Sequence, residues 1–312
     1  MSQPGRRIRL GLSIEIGVNI MQLQTNLQRS TGRNRFNATL LIVCLTFAVA
    51  SSLVTDALAA PKAAGSRAWV PFTNKLTIMT FNIRHAKGLD GQVRLQPVRD
   101  AIQQGNPDLV ALQEVDRFQE RSGFQDQAQA LARSLKMTSI YAPANRQGIS
   151  QYGIALLSRY PLKNPHSYPL PGLKEPRVIL TSEIELQGEH SSEPGHEKQV
   201  VTVVTTHLGV SRADREQQVP ELVRIVKKIR TPILFMGDLN MSDDDPLMKE
   251  LNALLRQAPL PPSQPTVLHG GQIDHIFTSF HGVTGSPAWT EPTRASDHVP
   301  VMQQVVFNDS LK

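Results

Sequence analysis

"ILFMGDLNMSDDD", residues 233–245, begins as a buried strand and ends as something else. Ile233 to Met236 are four consecutive apolar residues, short enough for a strand and bounded on both sides by turn formers. Gly237 interrupts the run, and Asp238 and Asn240 follow with one leucine between them. Gly, Asp and Asn are common turn residues, so taken alone the stretch reads as a strand running into a turn. In an extended segment, however, residues i and i+2 face the same way, so a carboxylate and an amide would stand side by side at the strand's end. Gly237 is expected to let the backbone bend there.

Outward from this stretch, other apolar strands end in polar groups. "KLTIMTFNI" carries Asn82, "PDLVALQEV" carries Glu114, and "KQVVTVVTTHL" carries His207. "QIDHIFTS" has Asp274 near its start, and "ASDHVP", with Asp297 and His298, precedes the last strand. Each residue has an ordinary reading by itself, as a turn residue, a solvated strand end or a satisfied histidine. Together they supply carboxylates, amides and histidines from separate segments. That composition suits a hard metal ion and phosphate chemistry, and loops at the edge of a rigid sheet are where sites are commonly assembled.

Between the strands lie helix-like segments: "QVRLQPVRDAIQQGN", with Pro97 in its first turn, "DQAQALARSLKM", "REQQVPELVRIVKKI", with a break or start near Pro220, and "DPLMKELNALLRQ". "GIALLSRYPL" and "PRVILTSEIEL" read as further strands, and residues 187–197 as the polar tip of a hairpin. Ten or so strands with a few interspersed helices make one α/β domain over residues 75–309.

The first 59 residues have a different character. Six arginines precede an uncharged apolar run at 38–54, which ends in "TDALAAPK" with small residues at Ala57 and Ala59. Positive flank, apolar centre and A-x-A exit predict a signal peptide, and hence a periplasmic or secreted protein beginning at Ala60. A membrane anchor is the alternative, since the run approaches the length of a span. Residues 60–74 read as a linker rich in Ala, Pro and Ser.

Of the 33 basic and 27 acidic residues, six and two lie in the leader, so residues 60–312 carry a net charge of only +2. The basic balance of the whole chain therefore says little about a nucleic-acid-binding face. The single cysteine, Cys44, falls in the apolar run, leaving no disulfide framework and no thiol ligand in the domain. G-x-S-x-G, H-E-x-x-H and P-loop motifs are absent from the sequence.

The series "TFNIR", "PDLVALQEVD", "YGIALLSRYPL", "EPRVILTSEI", "VVTTHL", "ILFMGDLN", "IDHIF" and "SDHVPV" resembles, in this order, the motifs of the endonuclease/exonuclease/phosphatase superfamily. That superfamily includes pancreatic deoxyribonuclease, abasic-site endonucleases, inositol-polyphosphate 5-phosphatases and neutral sphingomyelinases. The resemblance implies two packed mixed β-sheets with outer helices, a four-layer α/β/β/α sandwich with the site at one edge. It implies a metal-dependent phosphoesterase in which an activated water attacks in line.

By matching position, Asp238 and Asn240 hold the water, with Asp238 the preferred base. Glu114 is the main ligand for Mg²⁺ or Mn²⁺, helped by Asn82, and Asp297 is a further metal contact. His298 serves the phosphoryl oxygens or acid–base transfer, with Asp274 on its other ring nitrogen. His207 protonates or stabilises the leaving oxygen. Arg177, Asn82 and His207 receive the phosphate.

Two positions depart from the pattern. Ile154 stands where many relatives have Asn, and Arg84 stands where some nucleases have an acidic metal ligand. Both favour a small or lipid-derived phosphoester, membrane-lipid headgroups included, over nucleic acid. A nuclease and a non-catalytic binding module are the alternatives. No protein partner is implied, and a monomer is expected. His85, His275, His281, Tyr152 and Asp243–Asp245 read as loop, surface and helix N-cap residues.

Overall fold

The computed structural model describes residues 75–172, 174–186 and 199–307. The expected leader, linker and hairpin tip lie outside the described residues. Among the described residues no helix is long and apolar enough to cross a membrane.

The strands form two mixed sheets. The first is built from β1 (Lys75–Asn82), β2 (Leu109–Arg117), β3 (Thr138–Gln147), β4 (Ser150–Ser158), β11 (Val283–Gly285), β12 (Trp289–Thr290) and β13 (Val301–Phe307). Its order is β11-β13-β1-β2-β4-β3, with β12 also on β13. The second contains β5 (Lys163–Leu170), β6 (Arg177–Leu186), β7 (Gln199–His207), β8 (Ile233–Asp238), β9 (Leu255–Gln257) and β10 (Asp274–Ser279). Its order is β5-β6-β7-β8-β10-β9.

Each sheet is centred on one parallel pair, β1 with β2 and β7 with β8, flanked by antiparallel neighbours. Each parallel pair needs a helical crossover. α1 (Leu95–Gly105) joins β1 to β2, and α3 (Arg212–Val226) joins β7 to β8. α2 (Gln127–Leu135) lies between β2 and β3, and α4 (Met248–Asn252) follows β8. Three apolar layers result. One, including Ile78, Leu156, Val203 and Met236, fills the space between the sheets. A second, including Phe81, Ile102 and Leu131, lies under α1 and α2. A third, including Phe235, Leu222 and Phe277, lies under α3 and α4. This is the expected four-layer sandwich. The central strands read as continuous apolar runs because both of their faces are buried.

Gly237 lies inside β8, paired with Thr206 on one side and His275 on the other. A Cβ there would stand 2.4 Å from the Thr206 carbonyl oxygen. The glycine is required by this close approach, and the bend expected at it falls later. Three helical readings also change. α3 runs unbroken through Pro220, starting at Ser211, whose Oγ accepts from the Asp214 N–H. "DPLMKELNALLRQ" gives only a five-residue helix, and Leu255–Gln257 instead form β9 against β10. The N-cap of that helix is Leu247, not an Asp of 243–245, although Asp245 Oδ1 accepts from the Leu247 N–H.

Candidate functional site

In both sheets the C-terminal ends of the parallel strands point to the same edge of the sandwich as the N-terminal ends of their antiparallel neighbours. Asn82 closes β1, His207 closes β7 and Asp238 closes β8, while Arg177 opens β6 and Asp274 opens β10. A cavity of about 770 Å³ opens there, lined among others by Glu114, Arg177, His207, Asp238, Asn240 and His298.

Asp238 is the hub. It is 1% exposed, and its carboxylate is bonded from several sides. Oδ2 accepts from Asn82 Nδ2 at 2.9 Å and lies 3.3 Å from His207 Nε2 and 3.9 Å from His298 Nε2. Oδ1 accepts from the Asn240 backbone N–H at 3.0 Å. Burial pushes its pKa up, and Asp274, its cross-strand partner, adds to the rise; the charge of His298 and the donated bonds oppose it.

His298 Nδ1 lies 2.9 Å from Asp274 Oδ2, as expected for that pair. Burial alone would keep the ring neutral, but Asp274, through charge and hydrogen bond, together with Asp238 and Asp297, outweighs it and holds the pKa at about 9. The imidazolium therefore supplies a positive charge between two buried carboxylates. Ligand atoms of Asp238, Asp274 and His298 come within 4.8 Å of one another, close enough to hold a cation. With His298 protonated, that positive charge is already present.

His207 is the opposite case. Burial, then the neighbouring Arg177 and His298 charges, push its pKa well below the ordinary histidine value. Arg177 Nη1 donates to its Nδ1 at 3.0 Å, because a guanidinium has no acceptor. The neutral ring must then carry its proton on Nε2, facing Asp238. Arg177, buried with Nη2 donating to Glu175 Oε2 at 2.6 Å, keeps its buried Nε without a partner.

Two residues reach the site through unusual backbone. Glu114 sits in a bulge of β2 against β4, at φ 56°, which turns its carboxylate toward the cavity. Such left-handed non-glycine residues are uncommon and cluster at functional sites. Asn240 has φ 51°, so the chain turns there and does not continue extended beyond Asp238. The same-face spacing expected of Asp238 and Asn240 does not apply. Both still line the cavity, because Asn240 Nδ2 donates to the Leu208 carbonyl at 2.9 Å and lies 3.1 Å from His207 Nε2.

The amide of Asn82 is fixed in orientation. Its Oδ1 accepts from the Arg84 N–H at 3.0 Å, so its NH₂ faces Glu114 Oε1, at 3.1 Å, and Asp238. Asp297 pairs with Arg84, Nε to Oδ2 at 3.2 Å.

His85 and Tyr152 also line the cavity, contrary to their reading as surface or loop residues. His85 Nδ1 is 4.0 Å from Glu114 Oε2 and is buried without a hydrogen-bond partner. Burial, then Arg121, lower its pKa to about 4. Burial beside Glu114 raises the Tyr152 pKa, so the phenol stays neutral. Strand alternation could have found Tyr152, which shares a face of β4 with Ile154. His85 sits in a run of three left-handed residues, Arg84 to Ala86, with no glycine to announce it. Ile154 is buried in the layer between the sheets and is not part of the cavity wall. His275 is buried, its Nε2 2.7 Å from the Met241 carbonyl and its Nδ1 3.1 Å from Gln257 Nε2.

Comparison with known proteins agrees with this architecture. Residues 79–298 match the model of the Endonuclease/Exonuclease/phosphatase family. The chain is 32% identical over 145 residues to Protein cwh43 of Schizosaccharomyces pombe, covering 45% of this chain and 14% of that protein. It is 27% identical over 144 residues to a UPF0294 protein of Vibrio campbellii, covering 45% and 48%. It therefore spans less than half the length of either relative. An endonuclease/exonuclease/phosphatase structure from Beutenbergia cavernae superposes with a TM-score of 0.60 at 22% identity, covering 75% of this chain and 72% of that one, a likeness of fold. With the family model matched from the first strand to the terminal S-D-H motif, the chain belongs to the endonuclease/exonuclease/phosphatase family.

Proposed function

We propose that the protein is a metal-dependent phosphoesterase that cleaves a small or lipid-derived phosphoester through in-line attack by water. Members of the family generally hydrolyse phosphoesters. The observation that carries the reading is a buried carboxylate, Asp238, held by an amide, a backbone N–H and a neutral histidine beside a charged histidine and a buried arginine.

Asp238 takes the proton of the attacking water, and its raised pKa makes it a competent base near neutral pH. His207, with both ring nitrogens engaged, orients Asp238. Arg177 and His298 face the charge that develops on the phosphoryl oxygens, where fixed donors in a water-poor site act most strongly, while Asn82, its two N–H donors taken by Glu114 and Asp238, orients those carboxylates. His298, protonated at Nε2, supplies the proton needed at the leaving oxygen.

The donor set fits a hard divalent ion. Glu114 turns a carboxylate into the cavity, and the described residues contain no cysteine. Glu114 would hold Mg²⁺ or Mn²⁺, with Asp297 nearby in sequence to His298 but countered by Arg84. Asn82 turns its NH₂, not its oxygen, to the site and so acts as a donor there. When bound, the ion neutralises charge on the phosphoryl group.

For substrate class, the net charge of +2 over residues 60–312 and the 5% aromatic content argue against a surface built for duplex DNA. Gln119, Asn145, Gln147 and Ser150 give the cavity wall amides and a hydroxyl instead. We also propose that residues 1–59 direct export, so that N-terminal sequencing of the protein from expressing cells begins at Ala60. The functional reading is tested by assaying the purified protein against phospholipids, inositol phosphates, nucleotides and plasmid DNA, with Mg²⁺ and with EDTA. Metal-dependent cleavage is expected, fastest on a non-DNA phosphoester. Full turnover in EDTA, or faster cleavage of the plasmid, contradicts it.

A further inference from the structure

Five large hydrophobic side chains are exposed among the described residues: Phe124, Ile149, Val210, Leu268 and Phe280. Scattered singly, such residues need no explanation. Four of these five are not scattered. Val210 lines the catalytic cavity itself. Ile149 is the tip of the β3–β4 hairpin, between Gln147 and Ser150, which both line the cavity. Phe124 donates its backbone N–H to the carbonyl of Gln119, another lining residue. Its loop is tied to the hairpin by Ser150 Oγ donating to the Phe118 carbonyl at 2.9 Å. Leu268 donates its N–H to the Asp297 carbonyl, and Val267 bridges to His298, so this fourth tip stands on the side of the cavity that holds His298. Val210 thus stands at the mouth itself, and Phe124, Ile149 and Leu268 stand on segments joined to residues that line it. The four, in the order Phe124, Ile149, Val210 and Leu268, are 57%, 70%, 72% and 58% exposed.

Charge accompanies three of them. Arg121 precedes Phe124 by three residues, Arg146 precedes Ile149 by three, and Arg212 follows Val210 by two. Arg146 is exposed, and the side chains of Arg121 and Arg212 are 48% and 57% exposed while paired with Asp116 and Glu216. Apolar tips flanked by arginines suit the boundary of a bilayer, where side chains enter the acyl region and guanidiniums stay at the phosphates.

We propose that this rim docks the protein on a phospholipid bilayer, with the cavity mouth facing the headgroups, so that the substrate phosphoester is one presented in the membrane surface. This rests on the phosphoesterase reading for its substrate, but the docking itself does not require turnover. Phe280 provides an internal control: it is exposed too, yet follows the Ser279 end of β10, opposite the Asp274 end that reaches the site.

The test uses the full chain with Cys44→Ser, since Cys44 is its only cysteine. A polarity-sensitive fluorophore is attached to a single cysteine introduced as Phe124→Cys, Ile149→Cys, Leu268→Cys or Phe280→Cys. With phosphatidylcholine/phosphatidylglycerol vesicles, the three rim positions are expected to shift to the blue and to be quenched by lipids brominated in the acyl chain. Position 280 is expected to do neither. In a second arm, Phe124→Ser, Ile149→Ser and Leu268→Ser are each expected to slow hydrolysis of a vesicle-borne phosphoester by about tenfold or more, the scale of one large apolar side chain. They should leave the rate on a water-soluble phosphoester unchanged. Rim quenching that persists in Asp238→Ala, or in protein that hydrolyses no phosphoester, upholds docking even where the functional reading fails. Absence of lipid quenching at the rim overturns the proposal whatever the activity. A blue shift that depends on protein concentration without lipid quenching overturns it in favour of self-association.

Discussion

Arg84 Nε lies 3.2 Å from Asp297 Oδ2, so the carboxylate beside His298 faces a guanidinium within its own edge of the sandwich. The same arginine donates its backbone N–H to Asn82 Oδ1. One residue therefore counters one carboxylate and fixes the amide of Asn82 with its NH₂, not its oxygen, toward Glu114, the carboxylate that in the proposed function would hold the cation.

This makes a prediction about metal stoichiometry. Mn²⁺ titration followed by electron paramagnetic resonance should give one tight site, weakened by at least about 10-fold in Glu114→Gln, since even outer-shell changes cost that much. Arg84→Ala should free Asp297 and add a second, weaker site. Unchanged binding in Glu114→Gln removes Glu114 from the ligand role.

The His298–Asp274 pair predicts a pH dependence with a definite sign. The folded pKa of about 9 lies above the ordinary value of 6.5, so the folded state binds this proton more tightly. The resulting stabilisation is present in full below pH 6.5 and is lost as pH rises through about 9. In metal-free protein, ring ¹⁵N shifts should show His298 charged at pH 7 and titrating near 9, with Asp274→Asn moving the midpoint down. A neutral ring at pH 7 in the parent contradicts the pairing.

Gly237 tests the fold independently of the chemistry. A Cβ at 2.4 Å from the Thr206 carbonyl forces β7 and β8 apart. Gly237→Ala should destabilise by about 1–3 kcal/mol, the usual scale of overpacking, in urea unfolding. Undiminished stability means the strands are not as close as described.

How much of this the sequence reveals depends on burial. β1, β2, β7 and β8 announce themselves because both faces are covered, so each is a continuous apolar run. β3 and β5 were not visible: both are edge strands, largely exposed or half-buried, and contain Pro143, Pro165 and Pro169. β9 hid inside helix-spaced leucines, since its pairing with β10 is a tertiary contact with no local signature. The site residues were legible as strand ends. Their hydrogen bonds are not, because the orientation of Asn82 depends on the left-handed backbone at Arg84, which no glycine announces, and the proton position on His207 depends on Arg177 of another strand.

The central claim is that Asp238 activates the attacking water, and the rate of Asp238→Ala tests it most directly. With the best phosphoester found and saturating Mg²⁺, turnover should fall by at least about 100-fold, the usual scale of lost general-base catalysis, while circular dichroism stays that of the parent. A folded Asp238→Ala protein that turns over at near-parental rate contradicts the account.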